Sequence, residues 1–507
     1  MKFEKTYSRR GCRGMTKRVL NTEAGKCAND GTGTNAFGSR KAAGGSRISI
    51  VLLLLLVATA ICGAQEGRPP SAQIQPLEPC GLFSDLRTPP LLVPRFEPTA
   101  IRIMSSRYLD LWQVNDGYNL TGVDLVAYNG VTFVPAGYSD DLGIYYYIPW
   151  ISRAFHLSLA HSISIFLVSA LVLSVASGSL GLLLVLRSWP SRIVGLMVLG
   201  VLTFLAYHYG DVYLFEFAVP VALVPWIVRQ ARRQTHSWHT GALLAIAGLV
   251  IGLAATVRTA AAIPTLLIVV VLIATQFQVR RSRKIALTAL SLAFALWPVL
   301  FLHHLANKRN HFLLGQTSIQ PQDLNRHTFW HFAYIGLGFI SNPYVPGGVC
   351  DDIGKLRVRA IAPEAVYLSD QYDAVLRNEV IATVTAHPPL VFFTLAAKLG
   401  ILIVIIAAFG GLAIVAAIYR PIDKRILATF VPALGVSALP ILLVAPSPHY
   451  LMSIFTLAAL YGTFSFDSIF LPDVGSAPEA IAQPHNERQD LAELGQEQFE
   501  YVTPRSR

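Results

Sequence analysis

Residues 252–271 read GLAATVRTAAAIPTLLIVVV, two apolar runs that meet at a single charge, Arg258. The runs belong to apolar segments at about 241–257 and 260–278, each long enough to cross the roughly 30 Å of bilayer hydrocarbon as a helix. An arginine between two such segments marks a turn at a membrane surface, so the stretch predicts a helical hairpin and a membrane-embedded fold.

Composition points the same way. Hydrophobic residues make up 53% of the 507 and charged residues 14%, and the mean hydropathy is +0.49, values typical of an integral membrane protein. The net charge of +11 raises nucleic acid as a partner. However, eleven Lys and Arg against three Asp and Glu lie in residues 1–47, ahead of the first apolar run, where the positive-inside rule expects cations. The basicity therefore orients the chain in a membrane, and no nucleic-acid partner is expected.

The first apolar run, 48–64, is read as an uncleaved span, with a signal peptide as the alternative. Further runs lie near 157–186, 191–208, 212–228, 241–257, 260–278, 285–303, 400–419, 426–445 and 450–470, about ten spans in all. With the basic amino terminus inside, four inner connections carry cations: Arg187 and Arg192; Arg229, Arg232 and Arg233; Arg280, Arg281, Arg283 and Lys284; Arg420, Lys424 and Arg425. The expected architecture is an α-helical polytopic membrane protein over residues 47–470, with large outer loops at 65–156 and 304–399. A basic, disordered segment (1–46) precedes it, and a polar tail (471–507) follows, both cytoplasmic. Cys80 and Cys350 alone fall in the outer loops, as a bridge or as two thiols.

The unusual polar residues collect on the outer side. In the first outer loop VDLVAYNGVTFVP (123–135) places Asn129-Gly130 between β-prone runs, a hairpin signal. The chain then enters GYSDDLGIYYYIPW (137–150), where Asp140 and Asp141 precede a short helix expected to break at Pro149, with Tyr145 one turn from Asp141. Tyrosines there suit the interfacial layer, ring in the acyl boundary and hydroxyl in water. Adjacent carboxylates repel, so one tends to hold its proton unless a cation is near, a property that suits a general base or a metal ligand equally. An ordinary solvated loop is the plainer reading.

The turn Tyr207-His208-Tyr209-Gly210-Asp211, with Glu216 beyond it, adds acid and imidazole on the same side, though capping explains such residues as well. Arg258, half-buried at an outer helix end, needs an anionic partner; lipid phosphate matches guanidinium in two-pronged fashion, and snorkelling to headgroups is the alternative. HTFWHFAYIGLGF (327–339) spaces His327 and His331 by four, which on a helix puts both rings on one face, but without the glutamate of a metalloprotease signature. Lys398 and His449-Tyr450 stand at outer helix ends, as anchors or anion contacts.

This layout resembles the GT-C superfamily of polytopic glycosyltransferases, which includes protein O-mannosyltransferases and aminoarabinose transferases. The resemblance covers about residues 48–470 and rests on the acidic motif Ser139-Asp140-Asp141 with its Tyr145-Tyr146-Tyr147 helix, on Asp211 in the next outer turn, and on Arg258 and His449-Tyr450. The acidic pair lies about 75 residues past the first span, later than in many members, and an inserted subdomain with the hairpin accounts for this.

The resemblance implies transfer of a sugar from a polyprenyl-phosphate donor to a hydroxyl of a glycan, lipid or protein acceptor, and one carboxylate site would make the transfer a direct displacement with inversion. Asp140 or Asp141 would be the base, Arg258 and His449 would hold the donor phosphate, and His208, Asp211, Tyr145, His327 and His331 would line an acceptor or second acidic site. Members differ in needing a metal, so a magnesium or manganese ion between carboxylates and phosphate stays open. The implied location is the bacterial cytoplasmic membrane, site outward, for cell-envelope glycan. The alternative is a transporter or flippase for a lipid-linked or anionic substrate, which calls for charges near the bilayer midplane and broken helices.

Overall fold

The computed structural model describes residues 105–137, 142–209, 211–233, 238–316, 319, 321, 324, 327–345, 350–421 and 423–470. The expected span at 48–64, Asp140, Asp141, Cys80 and both terminal segments lie outside these residues.

The described chain begins with α1 (Ser105–Thr121), then a hairpin of β1 (Val126–Tyr128) and β2 (Phe133–Pro135), then α2 (Leu142–Phe155). A run of helices follows: α3 (Leu159–Val185), α4 (Trp189–Tyr209), α5 (Leu214–Arg233), α6 (Trp238–Val257), α7 (Thr259–Thr275) and α8 (Arg281–Gln316). Three shorter helices, α9 (Phe329–Leu337), α10 (Asp351–Ile361) and α11 (Asp370–Ala386), precede α12 (Pro388–Phe409), α13 (Gly411–Tyr419), α14 (Lys424–Leu443) and α15 (Met452–Asp467).

Eight of these helices (α3, α4, α5, α6, α8, α12, α14 and α15) are long and apolar enough to cross a membrane, while α7 is apolar but has 17 residues. The eight fall at eight of the ten expected spans, with shifted bounds; α7 falls at the one expected at 260–278. Met197, Phe392 and Val404 are each at least two-thirds exposed on these helices, a surface that lipid accepts and water does not. Helices satisfy their own backbone hydrogen bonds, the condition for entering hydrocarbon. The chain is an integral membrane protein.

Helices α6 and α8 meet where Gly248 and Gly252, one turn apart, face the backbone carbonyls of Ser291 and Ala295. A side chain at either glycine would collide with that backbone, so the small residues set how closely the two helices approach.

Successive spans alternate in direction, so their connections collect at two ends. At one end lie the four cationic connections, two of which are tied together by the fully buried Asp467. Its carboxylate accepts the backbone N–H of Arg187 (3.0 Å) and Ser188 (3.3 Å) and pairs with Arg232 at 3.5 Å. Arg232 also donates to the Val185 carbonyl at 3.0 Å, which ties α3, α5 and α15 at this end.

The other end carries the hairpin, α2, the Arg258 turn and α9 to α11. The hairpin forms as expected: Tyr128 pairs with Phe133, and Asn129 Oδ1 accepts the N–H of Val131 (3.0 Å) and Thr132 (2.8 Å). Gly130 supplies the positive φ of +94° that the turn needs.

Three expectations change. Helix α2 does not break at Pro149 but continues to Phe155; Ile148 and Pro149 are buried, and Arg153 in the last turn bonds Asp124 at 3.0 Å and lies 3.5 Å over the Tyr118 ring. Packing on both sides of the proline outweighs the one hydrogen bond it forfeits. The second outer loop is shorter than 304–399, because α8 runs on to Gln316 and α12 starts at Pro388. Leu313, buried with Val126 and Leu324, draws α8 onward, and prolines in the first turn suit a helix start. The span expected at 400–419 divides at Gly410 into α12 and α13.

Helices α9 to α11 enclose their own core, with Tyr334, Ile335, Tyr372 and Leu376 buried together against Val444. Buried Lys398 fastens this unit to the spans: its ammonium donates to the carbonyls of Gly336 (2.9 Å), Leu442 (2.9 Å) and Leu443 (3.4 Å). All three donors of the ammonium meet helix-terminal carbonyls, so Lys398 is an anchor. Lys398→Met should lower unfolding stability by about 3 kcal/mol, since it leaves buried carbonyls unmatched; melting of the detergent-solubilised chain at the wild-type temperature would refute this.

Cys350, which caps α10, is disulfide-bonded. Every other cysteine lies within residues 1–104, outside the described part. Peptide mapping without reductant should return Cys350 linked to Cys80, and alkylation of Cys350 as a free thiol would reject the bridge.

Candidate functional site

Arg258 is the residue around which this end is organised. It holds the break between α6 and α7 in an extended conformation (φ −155°, ψ 105°), its N–H bonded to the Ala254 carbonyl at 2.7 Å and its carbonyl accepting from Ala261 at 3.0 Å. The break aims the side chain into the bundle, where it is only 8% exposed.

Three elements surround the guanidinium. Its carbon lies 4.4 Å from the centre of the Tyr213 ring and 5.9 Å from that of Tyr450. Its Nε is 3.8 Å from Glu216 Oε1, a buried ion pair of loose geometry. Glu216 Oε2 in turn accepts the Ser453 N–H at 3.4 Å, and the Ser453 and Ser437 hydroxyls bond at 2.8 Å. A buried cation needs a carboxylate and is further favoured by aromatic faces, and both are supplied from α5, the turn before it and the start of α15.

His449 joins the same group. Its ring packs on Tyr213 with centroids 5.6 Å apart, and Tyr450 meets Tyr213 edge-on at 5.2 Å. Arg258 and His449, some 190 residues apart in sequence, therefore share one tyrosine.

The flanks of the acidic pair are well placed, although Asp140 and Asp141 themselves lie outside the described residues. On the downstream side, Gly143 packs against the Thr256 carbonyl, where a Cβ would come within 2.7 Å, and the Tyr147 hydroxyl bonds Thr256 Oγ1 at 3.1 Å. Helix α2, which starts directly after Asp141, thus docks two residues from Arg258. On the upstream side, Gly137 (φ +75°) lies on the Tyr145 ring, and a Cβ there would sit 2.6 Å from it. Arg309 of α8, 6% exposed, holds the Ala136 carbonyl at 3.0 Å. Both ends of the stretch carrying the two aspartates are pinned.

The other expected residues divide. Asp211 is buried in the turn leading to Tyr213, its carbonyl accepting from Leu214 at 3.0 Å. His208 stacks on Phe204 of its own helix at 5.9 Å. Tyr145 is 1% exposed, so its hydroxyl is not the wetted anchor expected of it; the ring is used to seat Gly137. Exposed Trp150 and Phe155, edge to face at 6.3 Å, are the interfacial aromatics of α2.

His327 and His331 are not on one helical face, because α9 begins at Phe329 and leaves His327 outside it. His327 Nε2 pairs with Asp370 at 2.7 Å. Buried His331 bonds Asp351 through Nε2 (3.3 Å) and Tyr372 through Nδ1 (2.9 Å). Burial, and then the Asp351 and Asp352 carboxylates, hold the Tyr372 phenol well above the usual tyrosine range. Among the described residues no group of three or more His, Cys, Asp or Glu is placed to hold a metal.

Sequence reasoning missed Arg309, Tyr213 and Asp467. Arg309 lies in LANKRNHFLLGQ, which reads as the polar start of a loop, and Tyr213 is one more aromatic in an apolar run. Asp467 had a usable signal as a lone acid ending an apolar span. Compared with protein-family models, curated proteins and solved structures, the chain matches none.

The Arg258–Glu216 pair makes a quantitative claim. In a double-mutant cycle with Glu216→Ala and Arg258→Ala, unfolding in detergent should give a coupling energy above about 1 kcal/mol. Strictly additive losses would mean that the two side chains do not interact.

Proposed function

We propose that this chain is a membrane glycosyltransferase of the GT-C kind, transferring a sugar from a polyprenyl-phosphate donor to an acceptor hydroxyl at the Arg258 end of the bundle. The observation that carries the proposal is the caged Arg258 beside the docking point of α2, the helix that leaves directly from Asp140 and Asp141. A fixed cation next to the anchor of a paired-carboxylate loop is what displacement at a phosphate-linked sugar requires.

In this mechanism Asp140 or Asp141 accepts the acceptor hydroxyl's proton as its oxygen attacks the anomeric carbon. The bond from that carbon to the phosphate oxygen breaks, and polyprenyl phosphate departs with the electron pair. Arg258 stabilises the charge growing on the phosphate, helped by His449 across Tyr213. Glu216 and Tyr213 keep the guanidinium oriented, so little reorganisation accompanies the reaction. One displacement inverts the anomeric centre. Were a magnesium or manganese ion bound, Asp140 and Asp141 would be the residues to hold it, and it would supply Lewis-acid stabilisation of the departing phosphate; the scheme does not require one.

Two features support an outward orientation of this end, in a bacterial cytoplasmic membrane. The cations of the inner connections gather at the opposite end, as the positive-inside rule asks, and the disulfide-bonded Cys350 belongs to an oxidising compartment. The transporter alternative gains little support: Glu216, Arg258 and Asp467 lie near helix ends, and Lys398, the buried cation in the middle of α12, is engaged by three backbone carbonyls.

Transfer from a panel of polyprenyl-phosphate sugars by purified protein tests the reading. The Asp140→Asn, Asp141→Asn double variant should lose about 100 to 10,000 fold, and Arg258→Gln should lower turnover at least tenfold at saturating donor. Full transfer by the double variant would remove the aspartates from the mechanism, and retention of anomeric configuration would remove single displacement.

A further inference from the structure

A cavity of about 180 Å³ opens at the cationic end, between α5, α7, α14 and α15, and no step of the proposed reaction uses it. Its floor is apolar, built from Leu272, Phe430 and Phe464, and its rim is polar, with Arg232, Arg425 and Gln276. Apolar below and cationic above is the lining of a site for an amphiphile rather than for water or a metal.

The electrostatics of this end favour an anion. Its connections and adjoining helix turns carry twelve Lys and Arg, from Arg187 to Arg425, against Asp423 and Asp467. Both acids have structural work. Asp467 holds Arg232 and the backbone before α4, and Asp423 caps α14 by accepting the Arg425 N–H at 2.8 Å. The cavity therefore lies in a strongly positive field while its own carboxylate is turned toward a helix start.

Size narrows the ligand further. Sites for whole cofactors or nucleotide sugars usually enclose roughly 300–1,000 Å³, well above this volume. A phosphate-sized head with the first part of an attached chain fits, and the rest would lie outside.

We propose that this cavity binds a phosphate group, carried by an anionic phospholipid of the adjoining leaflet, through Arg425 and Arg232 with Gln276 donating from α7. The acyl chains run along the exposed apolar faces of the spans, and the head joins α5, α7 and α14 at this end. Arg232 is already fixed by Val185 and Asp467, so Arg425, on the exposed rim, is the side chain that closes on the ligand.

The test uses the full-length chain in phosphatidylcholine nanodiscs, titrated with phosphatidylglycerol and read by native mass spectrometry and thermal melting. Wild type should show one saturable phosphatidylglycerol adduct and a rise in melting temperature. Arg425→Gln should weaken that adduct about tenfold or more, whereas Arg281→Gln, the same charge change at the same end but off the cavity, should leave it within about twofold. Gln276→Glu, on a different helix, should also abolish the adduct, which guards against a folding defect peculiar to α14. Millimolar inorganic phosphate should fail to compete; displacement of the lipid by phosphate alone would overturn the lipid as the source. Equal loss in Arg425→Gln and Arg281→Gln would overturn the site, because it would reduce the effect to net charge.

Discussion

Everything in this protein follows from the absence of water around its helices. A backbone amide in hydrocarbon must find its partner within its own helix, so the spans stay helical and their polar business is postponed to the ends. Arg258 shows what that constraint costs and how it is met. A guanidinium brought inside the bundle is tolerable only with a carboxylate and aromatic faces around it, and Glu216 of α5, Tyr213 in the turn before it and Tyr450 in the turn before α15 converge to supply them. Satisfying one buried charge fixes where α5, α6, α7 and α15 stand relative to one another.

The same logic explains the opposite end and the lateral unit. Asp467, with no exposure at all, is stabilised by two backbone N–H groups and Arg232, and those partners lie on two other parts of the chain. Lys398 answers three helix-terminal carbonyls that would otherwise be buried unmatched. In each case a lone ion within or beside an apolar run works as a rivet between elements. The hydrophobic effect brings such helices into a membrane, but it does little to tell them how to pack once there, and close backbone contact and polar rivets supply the specificity.

Much of this was legible in the sequence, and the reasons for the gaps are physical. Spans were readable because hydropathy over about 20 residues has few alternative explanations, and the hairpin because Asn129-Gly130 has a local conformational preference. Helix ends were less readable: α8 and α12 run past their apolar segments because tertiary packing, at Leu313 for example, extends them. In the candidate site Arg258 was visible as a charge in the wrong place and His449 as a polar residue at an outer helix end. Tyr213, Arg309 and the burial of Tyr145 were not, since a tyrosine or arginine in sequence does not announce whether its partner is lipid, water or a residue 170 positions away.

Helix α8 ties these levels together. At 1.5 Å per residue its 36 residues extend about 54 Å, nearly twice the hydrocarbon thickness, with Pro298 as its one internal proline. It starts among the arginines of one end and finishes where Arg309 grips Ala136, next to the stretch that carries the two aspartates. A rod of that length answers a thicker or thinner bilayer by changing its tilt. The loop fastened to its far end travels with it, so bilayer thickness becomes a mechanical input to the geometry around Arg258.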